Sequence, residues 1–209
     1  MPSKNWTRII IGIFAALMLL VSVLTGDSID AQGLRWISGA SGAVILLLVI
    51  YDKWVWRWPL IRKLAEQDGR PVIRGTWKGT LEFAKDANDK PGSIEIYFSI
   101  EQTYSTVEVR GFVSTSESHS VTATIDRPLT NQRRLVFAYH SEAPHGKRGA
   151  NRPHDGTALL NIIGIPVQEI TGSYYTERGG AGSITLTEYT PELSESYKHA
   201  SSRKYRSLS

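Results

Sequence analysis

Residues 73–83 read IRGTWKGTLEF, and their alternation decides the fold. Ile73, Gly75, Trp77, Gly79, Leu81 and Phe83 alternate with Arg74, Thr76, Lys78, Thr80 and Glu82. A period of two sends the first set to one face of a β-strand and the second to the other. The pattern recurs downstream, with Ile94, Ile96, Phe98 and Ile100, then Val107, Val109, Gly111 and Val113, then Val121, Ala123 and Ile125. Residues 134–141, 157–164, 170–178 and 183–189 supply four more candidate strands. Turn chemistry separates them, as in Lys90-Pro91-Gly92 and Arg178-Gly179-Gly180. Eight short strands at this spacing predict an all-β domain over 74–190, an eight-stranded antiparallel barrel. One-sided apolar sets favour a barrel with one face inward, and Gly75, Gly79, Gly111 and Gly172 provide the bends that a tight barrel needs. A sandwich of two four-stranded sheets is the alternative.

Upstream of the barrel the pattern is different. Ile9–Leu24 and Trp36–Tyr51 are apolar runs without a charged side chain. With their flanks they reach the roughly 20 residues that a helix needs to cross a bilayer core. The polar stretch TGDSIDAQGLR between them joins two antiparallel helices. Residues 1–58 are therefore expected to form a transmembrane hairpin with spans of about 7–25 and 36–55. Lys4 and Arg8 precede the first span, and Lys53, Arg57, Arg62 and Lys63 follow the second. By the positive-inside rule both termini face the cytoplasm, with Trp54, Trp56 and Trp58 at headgroup depth. Gly39, Gly42 and Ala43 let helix backbones approach closely, within one hairpin or between subunits. Residues 59–73 read as a juxtamembrane connector, and 191–209 as a flexible tail.

Composition excludes several chemistries. Cysteine is absent, so there is no disulfide framework and no thiolate metal site. The five histidines are scattered, no metal-ligand spacing occurs, and no nucleophile elbow, phosphate-binding loop or dinucleotide fingerprint is present. No enzyme activity, metal or cofactor is expected. A net charge of +4 is mild and partly juxtamembrane, so neither DNA nor RNA is expected as a partner.

What remains is binding. Tyr139, Asn161, Tyr174, Thr176 and Glu188 interrupt the apolar side of the late strands. A buried polar group needs a partner, so these residues either bond one another or await a polar ligand. Arg110, Arg133, Arg134 and Arg178 lie on or beside strand ends, where guanidinium groups can clamp phosphates or simply face solvent. Tyr104, Tyr139, Tyr174, Tyr175 and Trp77 offer aromatic faces, Trp77 more naturally as a plug at the barrel floor.

The paired spans, the strand Arg74-Gly-Thr-Trp-Lys-Gly-Thr and the late pair Gly172-Ser-Tyr-Tyr-Thr-Glu-Arg and Gly182-Ser-Ile-Thr-Leu carry a resemblance. Together they resemble the two-transmembrane, β-strand-rich membrane effectors of CBASS anti-phage defence. The resemblance implies a minimal barrel that binds a cyclic dinucleotide made by a partner nucleotide synthase. It further implies self-association on binding and disruption of the inner membrane by the gathered hairpins, which kills the cell. With the residue reading, it makes Tyr104, Arg110, Tyr139, Asn161, Tyr174, Thr176 and Arg178 the candidate ligand contacts. Gly75-x-Trp77 on a first strand also resembles lipocalin-like barrels, which would make the protein a membrane-tethered carrier of a small apolar ligand.

Overall fold

The computed structural model describes residues 12, 22–23, 31–58, 61, 70–83, 91–126, 132–143 and 152–208. These divide into two compact units, 1–58 with 103–105, and 59–102 with 106–209.

The first unit holds a helix, Ala31–Lys53, followed by a short 3-10 turn at Val55–Arg57. Ile45, Leu46, Leu47 and Val49 are exposed on this helix, as are Trp54 and Trp58 beyond it. Trp56 is fully buried. Among the described residues no helix is long and apolar enough to cross a membrane. The expected first span, about 7–25, lies almost wholly outside the described residues, as does most of the 59–73 connector. A Cβ added at Gly39 or Gly42 would meet nothing within 4 Å. The helix that these positions and Ala43 were expected to pack against falls outside the described residues.

The second unit is the barrel. Its strands are β1 (Gly75–Phe83), β2 (Gly92–Gln102), β3 (Val107–Val113), β4 (Ser116–Asp126), β5 (Arg133–Glu142), β6 (His154–Ile163), β7 (Glu169–Thr176) and β8 (Ala181–Thr190). Each pairs antiparallel with the next, and β8 pairs back onto β1, closing the sheet. Closure removes the unpaired edges that an open sheet would present. Gly79, Gly172 and Gly182 are required by this tight curvature. A Cβ at Gly79 would sit 1.9 Å from the Thr185 carbonyl, and one at Gly172 2.1 Å from that of Leu159.

Two β-bulges break the simple alternation, each adding a residue to one strand. On β8, Lys78 pairs with Glu188 but Gly79 with Leu186, so Thr187 is extra. Leu186 and Tyr189 both turn inward, while Glu188 turns out to meet Lys78 at 3.6 Å. On β4, Ser120 pairs with Tyr139 and Thr122 with Ala138, leaving Val121 extra. Val121 is 72% exposed, which corrects its expected place in the inward set. Ser116 and Ser118 face inward before the bulge, Ala123 and Ile125 after it.

The barrel interior is packed at one end. Ile73, Trp77, Ile100, Val107, Val109, Ile170 and Leu186 are all buried there. Trp77 packs against Tyr189 with the rings tilted at 51° and 4.8 Å between centroids, and its Nε1 donates to the Ile73 carbonyl at 2.8 Å. Trp77 is thus the floor plug that its glycine-flanked sequence suggested.

The segment after Thr190 corrects the expectation of a flexible tail. It forms a one-turn helix at Tyr197–Ser201, and a short strand, β9 (Arg206–Ser207), that pairs with β8. Between them it straps the outer face of β1–β3. The Ser194 amide donates to Ser99 Oγ at 3.0 Å, and Thr76 Oγ1 donates to the Glu192 carbonyl at 2.7 Å. Tyr97, Phe112 and Ala200 form a second small core with Tyr197 and Tyr205 against it. The segment is polar overall, yet these few aromatic residues cover a patch that would otherwise face water.

Candidate functional site: the open end of the barrel

Opposite the packed floor, the barrel opens into a cavity of about 460 Å³. The size is within the range of small-ligand pockets. Its lower wall is apolar, built by Ile96, Phe98, Phe137, Ala158 and Ile184. Toward the mouth hydroxyl and aromatic groups join the lining, with Ser116, Ser118, Ser141, Tyr139, Tyr174 and Thr176, beside the apolar Phe83 and Val113 at the strand ends. His154 also lines it, and among the described residues no Asp, Glu, Lys or Arg does.

The mouth is assembled from the last residues of β1, β3, β5 and β7 and the first of β2, β4, β6 and β8. Antiparallel order brings these ends together, so residues far apart in sequence share one rim. Glycine keeps part of the wall low. A Cβ at Gly111 would lie 2.5 Å from Ser118 Oγ and 3.0 Å from the Phe98 ring.

The tyrosines present neutral hydroxyls. Burial pushes Tyr139 up to about 12, with Tyr174 beside it adding to the rise, and burial raises Tyr174 as well. Both remain O–H donors at neutral pH. Tyr139 packs 6.0 Å from Phe137 and 6.5 Å from His154, so its ring is a fixed wall rather than a free arm.

The structure brings together three of the seven residues singled out from sequence: Tyr139, Tyr174 and Thr176. Arg178 sits just outside, in the β7–β8 turn at the mouth. Its Nη2 donates to the carbonyls of Arg152 and, at 2.6 Å, Pro153.

The other three are elsewhere. Asn161 faces outward, accepting from Arg134 Nε at 3.2 Å, because Ala158, Leu160 and Ile162 are the inward residues of β6. Arg110 also faces outward, donating to the Glu195 carbonyl of the strap at 3.2 Å and lying over the Phe112 ring. Tyr104 belongs to the helical unit, with its amide on the Asp52 carbonyl at 3.0 Å and its ring against Tyr51 and Trp56.

Sequence reasoning missed Ser116, Ser118, Ser141 and His154. The signal for the first two was present in Ser116-Glu-Ser-His-Ser120, a strict alternation of hydroxyls with charged or ring side chains. The bulge at Val121 hid it by reversing the parity read back from Ala123 and Ile125.

Residues 69–188, more than half of the chain, match the family model described as Cap15, cyclic dinucleotide receptor domain. The chain belongs to this family. The Cap15 match begins just before β1 and ends within β8, so it covers all but the last two residues of the barrel and every described residue that lines the cavity. It identifies the barrel as a cyclic dinucleotide receptor domain, associated with CBASS, and a sensor rather than a catalytic domain. The helix Ala31–Lys53 and the C-terminal strap lie outside the Cap15 match. No curated protein matches the chain.

Proposed function

We propose that the open end of the barrel takes up a cyclic dinucleotide, and that the chain is a membrane effector of CBASS anti-phage defence. The observation that carries this reading is the cavity itself, apolar below and carrying aromatic and hydroxyl groups among apolar ones above. Bases stack on aromatic faces, each stack contributing about 1–3 kcal/mol in single-strand recognition, while neutral hydroxyls read base edges. On this reading the bases enter the interior, where the described lining carries no Asp, Glu, Lys or Arg, and the phosphates stay at the mouth.

On this reading residues 1–58 form a hairpin in the bacterial inner membrane, with both termini cytoplasmic. The exposed Ile45, Leu46, Leu47 and Val49, and the exposed Trp54 and Trp58 near the interface, support it. Ligand made by a partner nucleotide synthase favours a self-associating state, and the gathered hairpins breach the membrane. The ligand can do this only by binding the assembled state more tightly than the resting one.

Two measurements test the proposal. Calorimetry on the full chain in detergent micelles, against cyclic di-GMP, cyclic GMP–AMP and a fatty acid, should show binding of a cyclic dinucleotide. Fatty-acid binding without nucleotide binding would instead favour the lipocalin-like carrier. Co-expression with an active synthase should kill cells, and deletion of residues 1–58 should abolish killing. Undiminished killing by the deleted form refutes the membrane role.

A further inference from the structure

Among the described residues that line the cavity, His154 is the one whose side chain exists in a neutral form with one N–H and a cationic form with two. Its Nδ1 lies 3.1 Å from the Arg152 carbonyl oxygen. A carbonyl only accepts, so Nδ1 carries the proton, and among the described residues Nε2 has no hydrogen-bond partner. The same carbonyl accepts from the guanidinium of Arg178, which also holds the Pro153 carbonyl. Arg178 is therefore engaged on the two peptide units immediately before His154.

We infer that His154 receives a phosphate of the ligand through Nε2, and that Arg178 is a positioning residue that holds His154 for this contact. The inference rests on the cyclic dinucleotide reading above and names the residue at which the anion is met. A neutral Nε2 turns a lone pair toward a phosphate oxygen, which repels it. A protonated Nε2 donates a charge-assisted hydrogen bond.

Binding is then linked to proton uptake, and affinity rises as pH falls through the imidazole range. Tyr139, from β5, is neutral, with a value near 12. The Asp155 carboxylate, next on β6, is held by His140 Nδ1 at 2.6 Å, and Glu177 Oε1 accepts the Asp155 amide at 3.3 Å. Arg178 keeps its charge throughout.

The test is calorimetry of cyclic di-GMP and cyclic GMP–AMP on the full chain in micelles between about pH 5.5 and 8, in two buffers of different ionisation enthalpy. The wild-type protein should bind more tightly at low pH, by up to about tenfold per pH unit, with proton uptake from buffer. His154→Gln should bind with little pH dependence and lose the low-pH gain. Arg178→Ala should flatten the pH profile, whereas loss of a purely structural contact would weaken binding equally at every pH. An unchanged slope in His154→Gln, or affinity that falls on acidification because Nε2 accepts from a base edge, overturns the inference. Failure of the wild-type protein to bind either nucleotide at any pH overturns the ligand reading, and the inference with it.

Discussion

Phe112 offers a direct measure of the C-terminal strap. It lies on β3 between the inward Gly111 and Val113, so strand alternation would place it in water, yet it is fully buried. The cover comes from Ala200, Tyr197 and Tyr205. A buried phenylalanine removes about 150–250 Å² from water, which at about 25 cal/mol per Å² amounts to ~4–6 kcal/mol. A compact unfolded chain already hides some of that area, which lowers the figure to ~3–5 kcal/mol, the usual range for Phe→Ala in a core. Phe112→Ala should therefore destabilise the full chain by ~3–5 kcal/mol. In a chain ending after Thr190 the same substitution falls at an exposed site, where changes stay within ~0.5 kcal/mol. Urea unfolding followed by tryptophan emission, on all four members of this double-mutant cycle at constant detergent, gives the coupling directly. A loss below ~1 kcal/mol in the full chain, or equal losses in both backgrounds, would show that the strap does not cover β3.

Four further outcomes are expected. Trp77→Ala should destabilise by ~3–5 kcal/mol, since the plug is nearly fully buried and its indole N–H is bonded, and a smaller loss in a denaturant titration would argue against a closed floor. Gly111→Val should lower cyclic dinucleotide affinity at least about tenfold in calorimetry, because its side chain enters the space before Ser118 and Phe98, and unchanged affinity would place the ligand elsewhere. Val121→Lys should change stability by less than ~0.5 kcal/mol, whereas Ile125→Lys should unfold the barrel, and the reverse order by thermal melts would remove the β4 bulge. His140 is held above the ordinary imidazole value, chiefly by its hydrogen bond to Asp155. Its stabilising contribution is therefore complete below that ordinary value and lost as pH rises through the raised folded one. The melting-temperature difference between wild type and His140→Gln should shrink from about pH 5 to pH 8, and a difference that grows would contradict the assignment.

The eight strands were legible because one apolar face and one polar face leave a period of two in the sequence, and closure needs nothing beyond short antiparallel neighbours. The faces of individual residues were less legible where that period fails. In Leu159-Leu160-Asn161-Ile162-Ile163 both faces of β6 are apolar, so parity alone could not assign Asn161. The bulges at Val121 and Thr187 each reverse the parity within a strand, and no turn residue announces them. Tyr139, Tyr174 and Thr176 were found because they interrupt an apolar set, whereas His154 stands at the first residue of β6, before any alternation has begun. The strap was missed for another reason. Its polar composition resembles an unstructured end, and only long-range contacts through Tyr97 and Phe112 order it.

The described lining, free of Asp, Glu, Lys and Arg, has a consequence for how ligands are told apart under the proposed reading. Bases taken into the barrel as proposed would meet no fixed ion of that lining, so mobile salt has little to screen there, while an anionic group at the mouth is open to it. Raising ionic strength should then weaken all cyclic dinucleotides by a common factor and leave their rank order untouched. Sensitivity would be set by the cell's electrolyte, and discrimination by the shape of the barrel.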